Sequence, residues 1–257
     1  MPTTFQQPQR LTAPSAFPGR RTLLDMLRGL ALVGMIFYHF CFNLDAIFDV
    51  SLPWFHTLGA AIWQLCNSGL FLLIAGVCTH LTRHIFQRAI RLTLISLALS
   101  LVTLLFMPEE LIVFGILHCI AACLWIYGVC RPWLCRVPAG LGMFLCAILF
   151  FLTFHLPHHY LFFQPFEIPL PDSLYAFYPL SPLGFQSASF YSADYFPLFP
   201  YLFLFLFGHY LGYVLLQLPR SVQTLGCRPL NFLGRHSLVV YLVHQPLLLG
   251  GMLLAFG

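Results

Sequence analysis

Lysine is absent from the 257 residues: all twelve basic side chains are arginine, and only eight acids accompany them. Charged residues make up 8% of the chain against 60% hydrophobic. Soluble domains carry about a quarter charged residues, so a chain this poor in charge cannot cover a water-facing surface. An ordinary soluble enzyme is excluded, and no nucleic-acid partner is expected. The nine cysteines fall in apolar segments or among the arginines, and none in the acidic connections, which excludes a disulfide framework. Cys130 and Cys135 are spaced closely enough to share a metal but read as buried or juxtamembrane thiols, so no metal site is expected. Nor does one half of the chain repeat the other, which weakens a transporter built from inverted repeats.

Long apolar runs are what the chain does have. About 20 residues cross the hydrocarbon of a bilayer, and segments 23–47, 58–80, 89–107, 110–130, 137–156, 197–217 and 236–256 are each long enough. The sequence therefore predicts an all-α polytopic transmembrane helical bundle of about seven spans over 23–257. Before it stands a Pro-, Gln- and Thr-rich stretch, 1–22, that reads as a flexible cytoplasmic tail. Segment one is too long, and too polar inside, for a cleaved signal peptide.

The arginines alternate with the acids. Arg10, Arg20, Arg21 and Arg28 open segment one, Arg83, Arg88 and Arg91 fill the second connection, Arg131 and Arg136 the fourth, and Arg220, Arg228 and Arg235 the sixth. Asp45, Asp49, Glu109, Glu110, Glu167, Asp172 and Asp194 occupy the other side. Basic residues stay cytoplasmic, so the expected orientation is N-terminus inside and C-terminus outside, in a cytoplasmic (inner) membrane.

Polar residues inside the spans fall at helical spacing. Asp25, Arg28, Leu32, Met35, His39 and Asn43 share one face of segment one, with Arg28 and His39 ~16 Å apart along the axis. Gln64, Asn67 and Ser68 fall on one side of segment two, His118 in segment four, and Ser237, Tyr241 and His244 on one face of the last. An ionisable group at the centre of a bilayer costs ~2.5 kcal/mol or more. Histidines recurring in four spans, His39, His118, His209 and His244, therefore point to a polar cavity. Pro246 agrees, because it frees the carbonyl of Leu242 where only a polar interior tolerates it. The longest connection, 157–196, lies on the acidic side, is crowded with Pro, Phe and Tyr, and runs into SADYFPLFP, Ser192 to Pro200. Its aromatics and Asp194 suit either a sugar-binding surface or a lid.

LDMLRGLALVGMIFYHF, Leu24 to Phe40, resembles the first helix of the acyltransferase-3 family. A fuller set adds the QRAIRL stretch from Gln87, FGILHC from Phe114, SADYFPLFP, and GRHSLVVYLVHQP, Gly234 to Pro246. In this order and spacing it resembles the bacterial relatives of heparan-α-glucosaminide N-acetyltransferase over about 22–250. The resemblance implies a bundle that takes an acyl group, acetyl by default, from cytoplasmic acyl-CoA and passes it to an extracytoplasmic sugar or glycan. It implies two candidates for the catalytic histidine. His39 matches the first-helix histidine of acyltransferase-3 enzymes. His56 lies near the luminal-loop position of the heparan enzyme's histidine, where that enzyme has asparagine in place of His39.

Chemistry distributes the other roles. The phosphates of acetyl-CoA need cationic donors, and arginine binds them bidentately while staying charged, which nominates Arg28, Arg83, Arg88, Arg91 and Arg235. An amine or hydroxyl attacking a thioester needs a base, which nominates His39, with Asp45, His118 and His244 beside it. His56, Asp194, Tyr195, Tyr241 and Gln245 are candidates for the acceptor side. The partners expected are acyl-CoA, a sugar or glycan acceptor and the lipid bilayer, with a homodimer left open. Two other classes fit the histidines: a small-solute or lipid-linked sugar transporter with a proton relay, and a b-type haem protein.

Overall fold

Among the described residues, seven helices are long and apolar enough to cross a membrane. A computed structural model describes residues 21–256, so the tail expected at 1–22 lies, up to residue 20, outside the described residues. The helices are α1 (Thr22–Ala46), α2 (Leu58–Val77), α3 (Ile85–Phe106), α4 (Ile116–Leu134), α5 (Ala139–Thr153), α6 (Leu198–Leu215), α7 (Arg220–Gln223), α8 (Arg228–Arg235) and α9 (Ser237–Phe256). All but α7 and α8 supply spans. Pro138, Pro197 and Pro219 cap α5, α6 and α7, where a fixed φ and a missing N–H cost nothing. Among the described residues, strand is confined to the hairpin Tyr160–Leu161 with Ile168–Pro169.

Two boundaries differ from the hydrophobic runs, and both move arginine. Helix α3 starts at Ile85, so Arg88 and Arg91 lie in its first turns and do not fill the connection. Arginine is a good helix former, and nothing in Ile85–Arg91 breaks the chain. Helix α4 starts at Ile116, not near 110, and runs far enough to include Arg131. Pro108–Glu110 is a 3-10 turn, and the residues after it bond to the long connection: Ala193 N–H to the Leu111 carbonyl at 2.9 Å and Phe196 N–H to that of Phe114 at 3.0 Å. Those tertiary bonds hold back the helix until Gly115.

Helix α6 packs against α2, α4 and α5, and α1 against α2, α8 and α9. In lipid, helices associate through close packing of small residues more than through the hydrophobic effect. Gly76 and Gly208 let α2 and α6 touch, since a Cβ on either would strike the other helix's backbone carbonyl. Gly29 and Gly234 clasp α1 to α8 in the same way, against the carbonyls of Leu230 and Asp25. Leu72, Cys123, Leu124, Tyr127 and Phe205 fill the centre. By contrast α3 and α9 turn Leu94, Leu97, Leu101, Leu105, Val239, Leu247 and Leu254 outward, as lipid-facing helices do.

The clasp yields a test. Gly234→Ala gains up to ~1 kcal/mol of helix propensity, but its Cβ meets backbone that cannot swing aside. A net loss of about 1–3 kcal/mol is expected, read as a lower thermal midpoint in detergent. Gly250→Ala, with no atom within 4 Å of the added carbon, is the control and should not lower it.

Candidate active site

A cavity of about 770 Å³ opens between α1, α2, α3, α4 and α9. Arg28, Arg83, Arg88 and Arg91 line it towards the arginine-bearing end, and Ile116 and Tyr241 line it deeper in. The shift of α3 matters here, because Arg88 and Arg91, one turn apart on that helix, both face the cavity. Arg28 donates to the sulfur of Cys78 at 2.7 Å and lies 3.8 Å from Asp25. Arg235 does not line the cavity; it lies 3.8 Å from the other oxygen of Asp25. Asp25 is 4% exposed, and opposite charges on either side are what make a buried carboxylate tolerable.

At the acidic end the long connection folds back onto the bundle through Asp194. One oxygen of its carboxylate accepts from the Ile116 N–H at 3.3 Å and from the Tyr241 hydroxyl at 3.2 Å. Gly115 caps α4 without a side chain, and a Cβ there would meet that same oxygen at 2.6 Å. Glycine thus clears the space, and a carboxylate 78 residues away in sequence does the capping, favoured by the positive end of the helix dipole. Burial pushes the Asp194 carboxyl above the ordinary aspartate value of 3.8, opposed by the hydrogen bonds from Ile116 and Tyr241.

His118 lies in the first turn of α4, not deep within it. Its Nδ1 accepts from the Gly115 N–H at 3.3 Å. Its Nε2 lies 3.1 Å from Ser100 Oγ, whose own hydrogen goes to the Ser96 carbonyl. Both ring nitrogens are therefore spent on capping α4 and tying it to α3.

Beyond Tyr241, α9 faces α1. The rings of His39 and His244 stand 4.9 Å apart, and Gln245 donates to Asn43 Oδ1 at 2.9 Å. His244 is 8% exposed, and its Nδ1 bonds to the backbone carbonyl of Tyr241. Among the described residues, its Nε2 and the Oε1 of Gln245 are buried without a hydrogen-bond partner.

The remaining candidates lie elsewhere. Asp45 pairs with His56, 2.9 Å between Oδ2 and Nε2, and its other oxygen accepts from the Leu52 N–H. This couple stands at the acidic surface, with the His56 side chain 69% exposed. Tyr195 donates to the Ser181 carbonyl at 2.6 Å within the long connection. His209 is fully buried between α6 and α2, donating to Thr79, whose hydroxyl bonds to Gly76. On α2, Ser68 is buried but Gln64 turns outward, so the expected polar side of that helix is only partly internal. The touching rings of His39 and His244, and the stacked His80 and His209 at 4.6 Å, leave no space for a haem macrocycle between either pair.

Four contributors were not singled out from the sequence: Ser100, Gly115, Cys78 and the backbone carbonyl of Tyr241. Gly115 alone had a readable signal, a glycine immediately before an apolar helix. A family model described as heparan-alpha-glucosaminide N-acetyltransferase, catalytic, matches residues 20–246. No curated protein and no solved structure matches the chain.

Asp194 generates the test for this end of the site. Asp194→Ala orphans two donors and is expected to cost about 1–3 kcal/mol for each, seen in the thermal midpoint. Asp194→Asn keeps an acceptor oxygen and should cost under about 1 kcal/mol. A carboxyl with a raised folded pKa contributes stability below the unfolded value and loses it as pH rises through the folded one. Asp194→Asn cannot ionise, so its stability relative to wild type should improve as pH climbs from 3.8 through that interval.

Proposed function

The chain belongs to the family of the heparan-alpha-glucosaminide N-acetyltransferase catalytic domain, and from that membership we propose that it is an acyl-CoA-dependent acetyltransferase. It would take acetyl from acetyl-CoA on the arginine-bearing side and deliver it to an amine or hydroxyl of a sugar on the acidic side. The arginine-bearing side is the cytoplasm in this reading, which sets the N-terminus inside and the protein in the cytoplasmic membrane. Residues 23–257 act as the catalytic domain and 1–22 as a tail.

One observation carries the proposal: a single cavity holds four guanidinium groups towards one end and reaches Tyr241, bonded to Asp194, at the other. Its volume, about 770 Å³, falls in the range of small-molecule sites, ≈ 300–1,000 Å³. Phosphates of coenzyme A suit Arg83, Arg88 and Arg91 by charge and by bidentate geometry. Arg28 shares its charge with Asp25, which Arg235 also holds, so Arg235 positions the cluster without facing the cavity. The pantetheine arm would lie along the apolar wall of Leu92, Ile95 and Ile120 and bring the thioester towards Tyr241. There the acceptor's lone pair attacks the thioester carbon, a histidine takes the acceptor proton, and the thiolate of coenzyme A leaves with that proton returned to it. His244 follows Tyr241 on α9 with its ring 4.9 Å from that of His39, although neither lines the cavity, and the Asp45–His56 couple stands at the acidic surface.

Binding and transfer test it together. In purified protein, Arg83→Gln and Arg91→Gln should each weaken acetyl-CoA binding about tenfold, the size of one lost charge-assisted hydrogen bond, with little change in thermal midpoint. In proteoliposomes, labelled acetyl-CoA on the arginine side should acetylate glucosamine enclosed on the other. Unchanged affinity in both variants would reduce these arginines to topology markers. Passage of glucosamine across the membrane without acetylation would replace the enzyme with a transporter.

A further inference from the structure

Acyl transfer at the inner end of the cavity needs a ring nitrogen with a free lone pair, and hydrogen-bond bookkeeping separates the histidines on that point. A backbone carbonyl only accepts, so the contact of His244 Nδ1 with the Tyr241 carbonyl fixes the proton on Nδ1. In the neutral ring Nε2 is then a bare acceptor, and it is buried with no partner among the described residues. Among the described residues no hydrogen bond locks the tautomer of His39. His118 has no nitrogen to spare. His209 also has an unpartnered Nε2, and neither it nor His244 lines the cavity itself, but His209 is fully buried in the α2–α6 seam, whereas His244 follows Tyr241 of the cavity wall on α9.

We propose that His244 is the general base, and that its Nε2 receives the N–H or O–H of the attacking sugar, Gln245 Oε1 on the next residue being a second empty acceptor. A buried acceptor left unpaired is destabilising, and a donor from the sugar relieves it at His244 Nε2. His244 lies one turn beyond Tyr241, which lines the deep end of the cavity. The acceptor nitrogen or oxygen forms its bond to the thioester carbon as its proton passes to His244 Nε2. The tetrahedral intermediate then expels the thiolate of coenzyme A, which takes that proton back from the imidazolium. Nδ1 keeps its hydrogen throughout, and the Tyr241 carbonyl stabilises the charged ring.

The inference rests on the acetyl-transfer reading, and the experiment separates the two. With glucosamine as acceptor, His244→Gly should lose at least ~10²-fold in kcat while acetyl-CoA affinity stays within about twofold. Added imidazole should restore part of the rate to His244→Gly and none to His39→Gly. A His244→Gly rate within tenfold of wild type, or rescue confined to His39→Gly, overturns the assignment. Should His244→Gly not fold, His244→Gln preserves most of the volume. It should bind acetyl-CoA yet fail to transfer, and near-normal transfer by it likewise overturns the assignment. Wild-type protein that binds no acetyl-CoA would instead remove the acetyl-transfer reading itself.

Discussion

The site hangs on a carboxylate that occupies the place of a missing side chain. Gly115 opens α4 with nothing on its Cα, and the oxygen of Asp194 fills that space, bonded to the Ile116 N–H and the Tyr241 hydroxyl. One residue therefore binds the long acidic-side connection, the start of α4 and the deep end of the cavity wall on α9. Where hydrocarbon surrounds a bundle, unpaired backbone N–H groups at a helix end are expensive, so capping α4 and shaping the deep end of the cavity are one and the same contact.

From that point towards the other end, polarity is graded. Apart from the Asp194 carboxyl, the deep end carries donors and acceptors from His, Tyr, Gln and Asn, whereas the guanidinium charges gather at the other end. Asp25 is the one acid among them, held between Arg28 and Arg235. The absence of lysine now has a physical sense. A lysine ammonium shifts its pKa readily when desolvated, but a guanidinium keeps its charge. Arg88 and Arg91 sit within α3, where a water-filled loop would have made the choice of cation unimportant.

Much of this was legible in the sequence. The seven spans follow from length and apolarity, and the face from Asp25 to Asn43 follows from helical period, since Asp25, Leu32, Met35 and Asn43 are all buried. The misplacements share a cause. Helix α4 begins at Ile116 because Leu111 and Phe114 are bonded to a connection far away in sequence, and no local pattern encodes that. The same late start puts His118 at a helix end. The sequence nominates Asp45 as a catalytic residue alongside His39, and the turn at Pro53–His56 brings His56 to it. Cys78 beside Arg28 joins the ends of two helices whose relative height periodicity does not give.

Counting histidines in spans pointed to a cavity, but what each ring does depends on its two nitrogens. His118 accepts with one and donates with the other, so it is structural glue between α3 and α4. His209 donates through Nδ1 to a threonine whose own hydrogen is already used, which makes it part of the α2–α6 seam that Gly76 and Gly208 bring together. His244 has the same donor pattern as His209, yet it lies one turn beyond Tyr241 of the cavity wall, with its ring 4.9 Å from that of His39. Tautomer and location together decide which histidine can act on a substrate. The sequence carries neither, because the partners that fix the tautomer are a glycine amide, a threonine on another helix and a backbone carbonyl.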